Sequence, residues 1–134
     1  MQLLDHPSIT VADPARARPF RDAVPGALEV PKVHDRPDAL GYGARNSASR
    51  SRGSYLSVLE SPQASGDARR HVCLRAPSRA HVDAFHRAGL AHGGVGAGAP
   101  GLRPHHHADY HAAFLVDPGG NRIEAVCHDA PAAS

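Results

Sequence analysis

The sequence has few aromatic side chains and little net charge. It contains no tryptophan, three tyrosines and three phenylalanines in 134 residues, which leaves few rings for stacking bases and counts against single-stranded nucleic-acid binding. The formal net charge is only +2 with neutral histidines. Its arginines are spread along the chain rather than clustered in a stripe, so nucleic acid is not expected as a partner.

Long hydrophobic runs and cysteine-rich motifs are also missing. No apolar run approaches the roughly 20 residues of a membrane-spanning helix, so no membrane association is expected. The N-terminal residues lack the basic start and apolar stretch of a signal peptide. Cys73 and Cys127 are far apart in the sequence and match neither a disulfide scaffold nor a zinc motif. We therefore expect one small domain, covering residues 1–134, in the cytoplasm.

Histidine, by contrast, is abundant, with 11 residues, and two of them mark an internal repeat. His6 precedes Phe20 by fourteen residues, and His71 precedes Phe85 by the same interval. Each histidine lies in a short apolar segment typical of a strand, and each phenylalanine lies in a segment typical of a helix. An offset of 65 residues, about half the chain, therefore relates two similar modules.

Each module is predicted to have the order β-α-β-β-β. Asp13 and Ser78 are candidate N-caps for the two helices, although two prolines limit the first helix to a few turns. The glycine-rich stretch Gly93–Gly101 is predicted to be a loop. The segment Asp117–Asn121 reads as a tight turn between two strands.

The two modules predict an α+β fold, with module one at about 1–62 and module two at about 69–128. Side chains alternate across a strand, so each sheet has an apolar back for its helix and a more polar front. The two polar fronts are expected to curl around a shared cavity as an incomplete barrel. Ligands bind in such cavities.

Three side chains on these fronts form a candidate metal site. His6 and His71 occupy matched positions in the repeat, and Glu124 lies on the last strand of module two. Two imidazoles and a carboxylate are a common ligand set for a divalent first-row metal and leave positions open for substrate or water. The residues alone do not separate this reading from isolated surface histidines.

Several motifs resemble those of the vicinal oxygen chelate superfamily, which includes glyoxalase I, extradiol dioxygenases and the bleomycin and fosfomycin resistance proteins. The resemblance rests on Leu4–His6, on His71–Leu74 and on Asp117–Val126. The stretches Ala99–Pro104 and Tyr110–Phe114 are similar to an uncharacterised glyoxalase-like branch. The resemblance covers nearly the whole chain and implies paired βαβββ modules around a metal.

That resemblance implies His6, His71 and Glu124 as ligands of a divalent ion such as Fe, Mn, Ni or Zn. Glyoxalase-like members take a fourth ligand from the last strand of module one, and its position here is ambiguous. Counting from the turn before that strand gives Ser57, which is not a metal ligand, whereas counting from the histidines gives Leu59, one residue from Glu60. Glu60 is therefore a tentative fourth ligand.

A second group of residues surrounds the predicted mouth of the cavity. The run His105–His107 precedes Tyr110 and His111, and imidazoles at this density can supply a general base or substrate contacts, although a solvated loop is the alternative. The expected catalytic residues are Glu124, Tyr110 and His107. The expected substrate-binding residues are Arg103, as a clamp for a carboxylate or phosphonate, together with His111 and Ser57.

The sequence thus predicts a metal-dependent small-molecule enzyme of the glyoxalase or dioxygenase type. Its metal would chelate two neighbouring oxygens of the substrate. The alternative is a non-catalytic antibiotic-binding protein of the bleomycin-resistance type, against which the retained ligands and the few aromatics argue. The resemblance also implies a homodimer, because related proteins often pair modules across subunits.

Overall fold

A computed structural model describes residues 3–67 and 69–131. Module one consists of a four-stranded sheet in the order β1-β4-β3-β2, with β1 and β4 parallel. Its helix begins after Asp13, whose carboxylate accepts the backbone N–H groups of Ala15 and Arg16. The elements are β1 (Ser8–Val11), α1 (Pro14–Ala27), β2 (Lys32–Arg36), β3 (Ala39–Gly43) and β4 (Tyr55–Glu60).

Module two repeats this topology with its own sheet, ordered β5-β8-β7-β6, in which β5 and β8 are parallel. The expected hairpin turn is present, with the N–H of Asp117 donating to the carbonyl of Asn121 at 2.8 Å. The elements are β5 (His71–Arg75), α2 (Arg79–Ala91), β6 (Val95–Leu102), β7 (His111–Val116) and β8 (Arg122–Cys127). The prediction of two βαβββ modules in an α+β fold is confirmed.

One local prediction is wrong. The stretch Gly93–Gly101 was expected to be a loop, but most of it forms β6, an edge strand that pairs with β7 through two register shifts. Pairing with a neighbouring strand outweighs the low strand propensity of glycine, and bulges absorb the irregularity. Helix α1 runs 14 residues through Pro19 and Pro25, about four turns, which agrees with the predicted few turns. The buried Phe20 and Val24 anchor it in the core.

One hydrophobic core joins the two modules. It contains the back faces of both sheets and both helices, with Phe20 of α1 and Phe85 of α2 completely buried. Phe20 packs so closely against module two that a β-carbon at Gly94 would lie 2.6 Å from its ring. Since the backs face this shared core, each front turns away from it, and the sheets of the described residues do not close into a barrel.

A buried polar link ties the first module to the β7–β8 turn. The guanidinium of Arg21 on α1 donates to Asp117 Oδ2, and both side chains are almost fully buried. Burial lowers the pKa of Arg21 to about 10, so its guanidinium is still charged at neutral pH. The amide of Asn121 also donates to the carbonyl of Thr10 at 3.1 Å. These contacts fix the relative placement of the modules.

No helix among the described residues is long and apolar enough to span a membrane.

Candidate functional site

The front of module two gathers three functional side chains around one buried carboxylate. Glu124 lies in β8 directly opposite Cys73 of β5, and His71, two residues before Cys73, shares its face. His71 Nε2 is 3.4 Å from Glu124 Oε1, and the hydroxyl of Tyr110 donates to Glu124 Oε2 at 2.5 Å. The parallel register of β5 and β8 brings His71 beside Glu124, and the segment just before β7 adds Tyr110.

The two oxygens of Glu124 have different surroundings. Only 3% of the Glu124 side chain is exposed, so its charge depends on these neighbours. Burial, followed by the hydrogen bond and charge of Glu124, raises the pKa of Tyr110, which therefore stays protonated as the donor to Oε2. Partial burial and the same carboxylate raise the pKa of Cys73 to about 12. At neutral pH the thiol is therefore uncharged.

The spacing of this pair suits two ligands of one metal ion. A first-row metal with ligand bonds of about 2.1 Å and tetrahedral angles would hold two donor atoms roughly 3.4 Å apart. His71 Nε2 and Glu124 Oε1 are separated by that distance. However, in residues 3–67 and 69–131 no three His, Cys, Asp or Glu side chains converge on a metal position. One chain therefore supplies two of the three expected ligands at this place.

The third expected ligand, His6, lies on the front of module one. It precedes β1 in an extended segment, where Asp5 and Pro7 continue the pairing with β4. His6 Nδ1 is 2.6 Å from Asp5 Oδ1. With the proton assigned to Nδ1 by this contact, Nε2 carries the free lone pair, an arrangement common among metal-binding histidines. His6 is thus oriented as a ligand but is separated from Glu124.

The register identifies the module-one counterpart of Glu124. Ser8 pairs with Ser57 in β1–β4 as Cys73 pairs with Glu124 in β5–β8, and Ser8 and Cys73 each follow the matched histidine by two residues. Ser57 therefore occupies the fourth-ligand position. Glu60 lies three residues further along β4, so it falls on the opposite face, where it is exposed. The tentative ligand Glu60 therefore does not share a face with Ser57.

A group of rings packs around Tyr110 at the edge of the module-two front. The ring centroids of His106 and His107 lie 4.5 and 5.5 Å from that of Tyr110, and His128 lies at 5.4 Å. His107 Nδ1 accepts the N–H of Asp109 at 3.1 Å. Its Nε2 is therefore the protonated nitrogen and donates to His128 Nδ1 at 2.9 Å. The histidine run holds Tyr110 against Glu124.

The other two expected substrate contacts, Arg103 and His111, are placed differently: Arg103 lies on the module-two front and His111 on the helix side. Arg103 donates to the carbonyls of Gly101 and Ala99 at 2.8 Å each and stacks on Phe114, so its guanidinium is bound to its own sheet. The hairpin register pairs Phe114 with Glu124, which places His111, three residues earlier, on the helix side. There its ring contacts Asp83 of α2 at 3.3 Å. Neither side chain reaches Glu124.

A cavity of about 750 Å³ lies at the seam between the modules rather than between the fronts. Its walls are mostly apolar, and His71 and Cys73 contribute to one edge. A smaller cavity of about 230 Å³ lies on the module-one front. It is lined by Asp5, His6, Ser8, Arg45, Asn46, Tyr55 and Ser57.

Sequence reasoning missed Cys73 and Arg45. Cys73 was signalled by its position two residues after His71 on a strand, which places both on one face. Arg45 belongs to a Ser/Arg-rich loop without periodicity, so nothing in the sequence pointed to it.

Solved structures with the same fold cover almost the entire chain. The first is a glyoxalase/bleomycin resistance protein from Albidiferax ferrireducens, with a TM-score of 0.78 and 28% identity over 96% of this chain and 100% of that one. A glyoxalase/bleomycin resistance protein/dioxygenase family enzyme from Burkholderia phytofirmans has a TM-score of 0.68 and 15% identity, covering 96% and 100% of the chains. The second likeness shows the fold alone.

A glyoxalase-related enzyme from Fulvimarina pelagi is similar in fold, with a TM-score of 0.67, 14% identity and coverage of 95% and 88%. No protein-family model and no curated protein matches the sequence. The structural neighbours nevertheless confirm the resemblance to the vicinal oxygen chelate superfamily that the motifs indicated.

Proposed function

We propose that this chain, which shares the fold of the vicinal oxygen chelate superfamily, is a metal-dependent enzyme acting on a small molecule with two neighbouring oxygens. The observation that carries the proposal is the contact of His71 Nε2 and Tyr110 Oη with separate oxygens of the buried Glu124. A buried carboxylate in contact with an imidazole and a phenol is typical of functional sites rather than of structural surface carboxylates.

We further propose that two copies complete the site, with His71 and Glu124 from one copy and His6 from the other. The two fronts turn away from the common core, and each carries part of the ligand set. A two-fold pair would place the module-one front of each chain over the module-two front of the other, producing two equivalent sites. In this arrangement the homodimer is needed because neither chain alone brings all three ligands together.

Each residue has a distinct task in this arrangement. Tyr110 holds Oε2 and so sets the rotamer of Glu124, which leaves Oε1 beside His71 to bind the metal or to accept a proton from substrate. His107 and His128 keep Tyr110 in place. The metal would act as a Lewis acid toward the two substrate oxygens. Fe, Mn, Ni and Zn all suit two imidazoles and a carboxylate.

The cell compartment we propose is the cytoplasm. Cys73 and Cys127 are both unpaired, which suits a reducing environment.

The seam cavity favours a second candidate function, the non-catalytic binding of an apolar antibiotic. Its volume of about 750 Å³ and mostly apolar walls are within the range of drug-sized ligand sites. In that case ligand binding would be independent of metal and of Glu124.

Metal content tests the leading proposal. Protein purified without a histidine tag is expected to bind about one equivalent of a first-row metal per chain. His71→Ala is expected to lower the affinity at least tenfold, whereas the exposed His92→Ala serves as the matched control and should bind normally. The proposal of a metal-dependent enzyme would be contradicted if the wild type bound less than about one tenth of an equivalent of metal and His71→Ala bound the same amount.

Mixing two inactive variants tests whether the site spans two chains. His6→Ala and His71→Ala should each lose metal binding alone. In a random mixture half of the dimers contain one chain of each kind, and each such dimer keeps one intact site of two, so about one quarter of wild-type binding should return. No recovery after subunit exchange, with exchange verified by mass spectrometry, would place the site within one chain.

A further inference from the structure

The front of module one carries a cation, Arg45, that no acidic side chain within residues 3–67 and 69–131 neutralises. Arg45 forms no ion pair with any described residue, and its contact is with the ring of Tyr55, whose centroid lies 5.6 Å from the guanidinium carbon. Because Ser57 replaces the carboxylate found at the matched position of module two, this front also lacks a negative group at its centre.

The surrounding residues hold Arg45 over that front. Tyr55 is buried because its ring crosses Gly41, where a β-carbon would lie 1.8 Å from the Tyr55 hydroxyl. Asn46 braces the loop: its amide oxygen accepts the N–H of Gly53 at 2.7 Å, and its nitrogen donates to the Gly53 carbonyl at 3.0 Å. Arg45 is therefore a positioned side chain between a fixed ring and an anchored neighbour.

Two hydroxyls face the same cavity. Ser8 and Ser57 are register partners on β1 and β4, and both line the 230 Å³ cavity with Arg45. Within residues 3–67 and 69–131, neither hydroxyl has a protein hydrogen-bond partner. The one carboxylate among the residues that line this cavity, Asp5, is already in contact with His6 and accepts a hydrogen bond from the amide of Asn46.

We propose that Arg45, Ser8 and Ser57 form a subsite for a small oxyanion, so that the substrate is an anion bearing a carboxylate or a phosphate group. A planar guanidinium binds two oxygens of such a group side by side, and the hydroxyls donate to the remaining oxygens. The inference rests on the proposed function for its catalytic meaning, because pairing of the fronts would set this subsite beside Glu124. Anion binding itself needs only module one.

Titration of the full-length protein with inorganic phosphate, and separately with acetate, tests the subsite by calorimetry and amide chemical shifts. Both anions are expected to shift the amides of Ser8 and Ser57, and the one bound more tightly identifies the oxyanion class. Arg45→Gln should weaken binding about tenfold or more, the loss of a charge-assisted contact. Arg50→Gln, in the same loop but facing the seam cavity, should change it less than about twofold.

The metal variant separates this subsite from the proposed enzyme. Phosphate should still bind to His71→Ala, since none of the three subsite residues is altered. Loss of phosphate binding in His71→Ala, or undiminished binding in Arg45→Gln with its amide spectrum intact, would overturn the subsite. If the wild type takes up no metal but still binds phosphate in a way that depends on Arg45, the subsite is supported and the proposal of a metal-dependent enzyme is contradicted.

Discussion

The two modules share one topology but differ in the chemistry of their fronts. Module two places Glu124, a buried carboxylate, beside a histidine and a tyrosine. Module one keeps the histidine but has Ser57 at the matched register position and adds Arg45. The strands preserve the positions and the side chains differ, so we propose that the module-two front supplies Glu124 and His71 to a metal, and that the module-one front supplies His6 to the same metal and Arg45 to an anion. This division can be tested by changing either front or the link between them.

The largest effect is expected from breaking the link between the modules. Asp117→Ala removes the buried partner of Arg21 and the acceptor for the N–H of Asn121 at 2.7 Å. An uncompensated charge would remain in the core, so the free energy of unfolding should fall by about 3–5 kcal/mol, measured by urea denaturation. Asp83→Ala, which loses only a half-exposed contact with His111, should change it by less than about 1 kcal/mol. A similar small loss in both variants would show that the link is dispensable.

A carboxylate at the matched position of module one should make the fronts alike. Ser57→Glu would add a ligand-type side chain to the His6 front, so metal affinity is expected to rise about tenfold or more, measured by competition with a chelator. The same change would repel an oxyanion, and phosphate binding should be lost. Ser57→Ala is the control and should leave metal affinity unchanged. Unchanged metal affinity in Ser57→Glu would mean that this register position does not face the metal.

The smallest expected effect is on the pH dependence of stability, and it comes from Tyr42 on the back of module one. Burial raises the pKa of Tyr42, and its hydroxyl donates to Asp22 at 3.0 Å. Because the folded-state pKa is raised, this stabilisation is complete below the unfolded value of about 10 and is lost as the pH rises above it. The urea midpoint should therefore fall between about pH 9 and 11. In Tyr42→Phe the dependence should be weaker, and an equally steep decline would assign it to another group.

The repeat and its central residues were predictable from the chain alone. Strand–helix order, the matched His6 and His71, and the turn at Asp117–Asn121 all follow from local patterns. The helix-side position of His111 was also within reach, because the length of that turn sets which residues of β7 oppose Glu124. It was missed because the histidine was interpreted by its neighbours along the chain rather than by strand register.

Other features depended on contacts between distant segments. The repeat offset is 65 residues at the first strands but 67 at the last, since Ser8 matches Cys73 and Ser57 matches Glu124. Loops of unequal length hide this difference, so counting left Ser57 and Glu60 unresolved. Similarly, Arg103 and Arg45 both lie in segments without hydrophobic periodicity, so the sequence does not distinguish them. Only the fold shows that one binds its own backbone and the other stays unpaired.

The sequence by itself therefore determined the strands, the helices, their repetition and the ligand-type residues on one face of each sheet, because side-chain periodicity and turn chemistry act over a few residues. The tertiary structure decided that the backs share one core and the fronts face outward. It also decided which polar groups are satisfied within the chain and which remain available to a ligand. Those outcomes depend on strand register and on the packing of Phe20, Arg21 and Tyr55 against residues far away in the sequence, which no local pattern encodes.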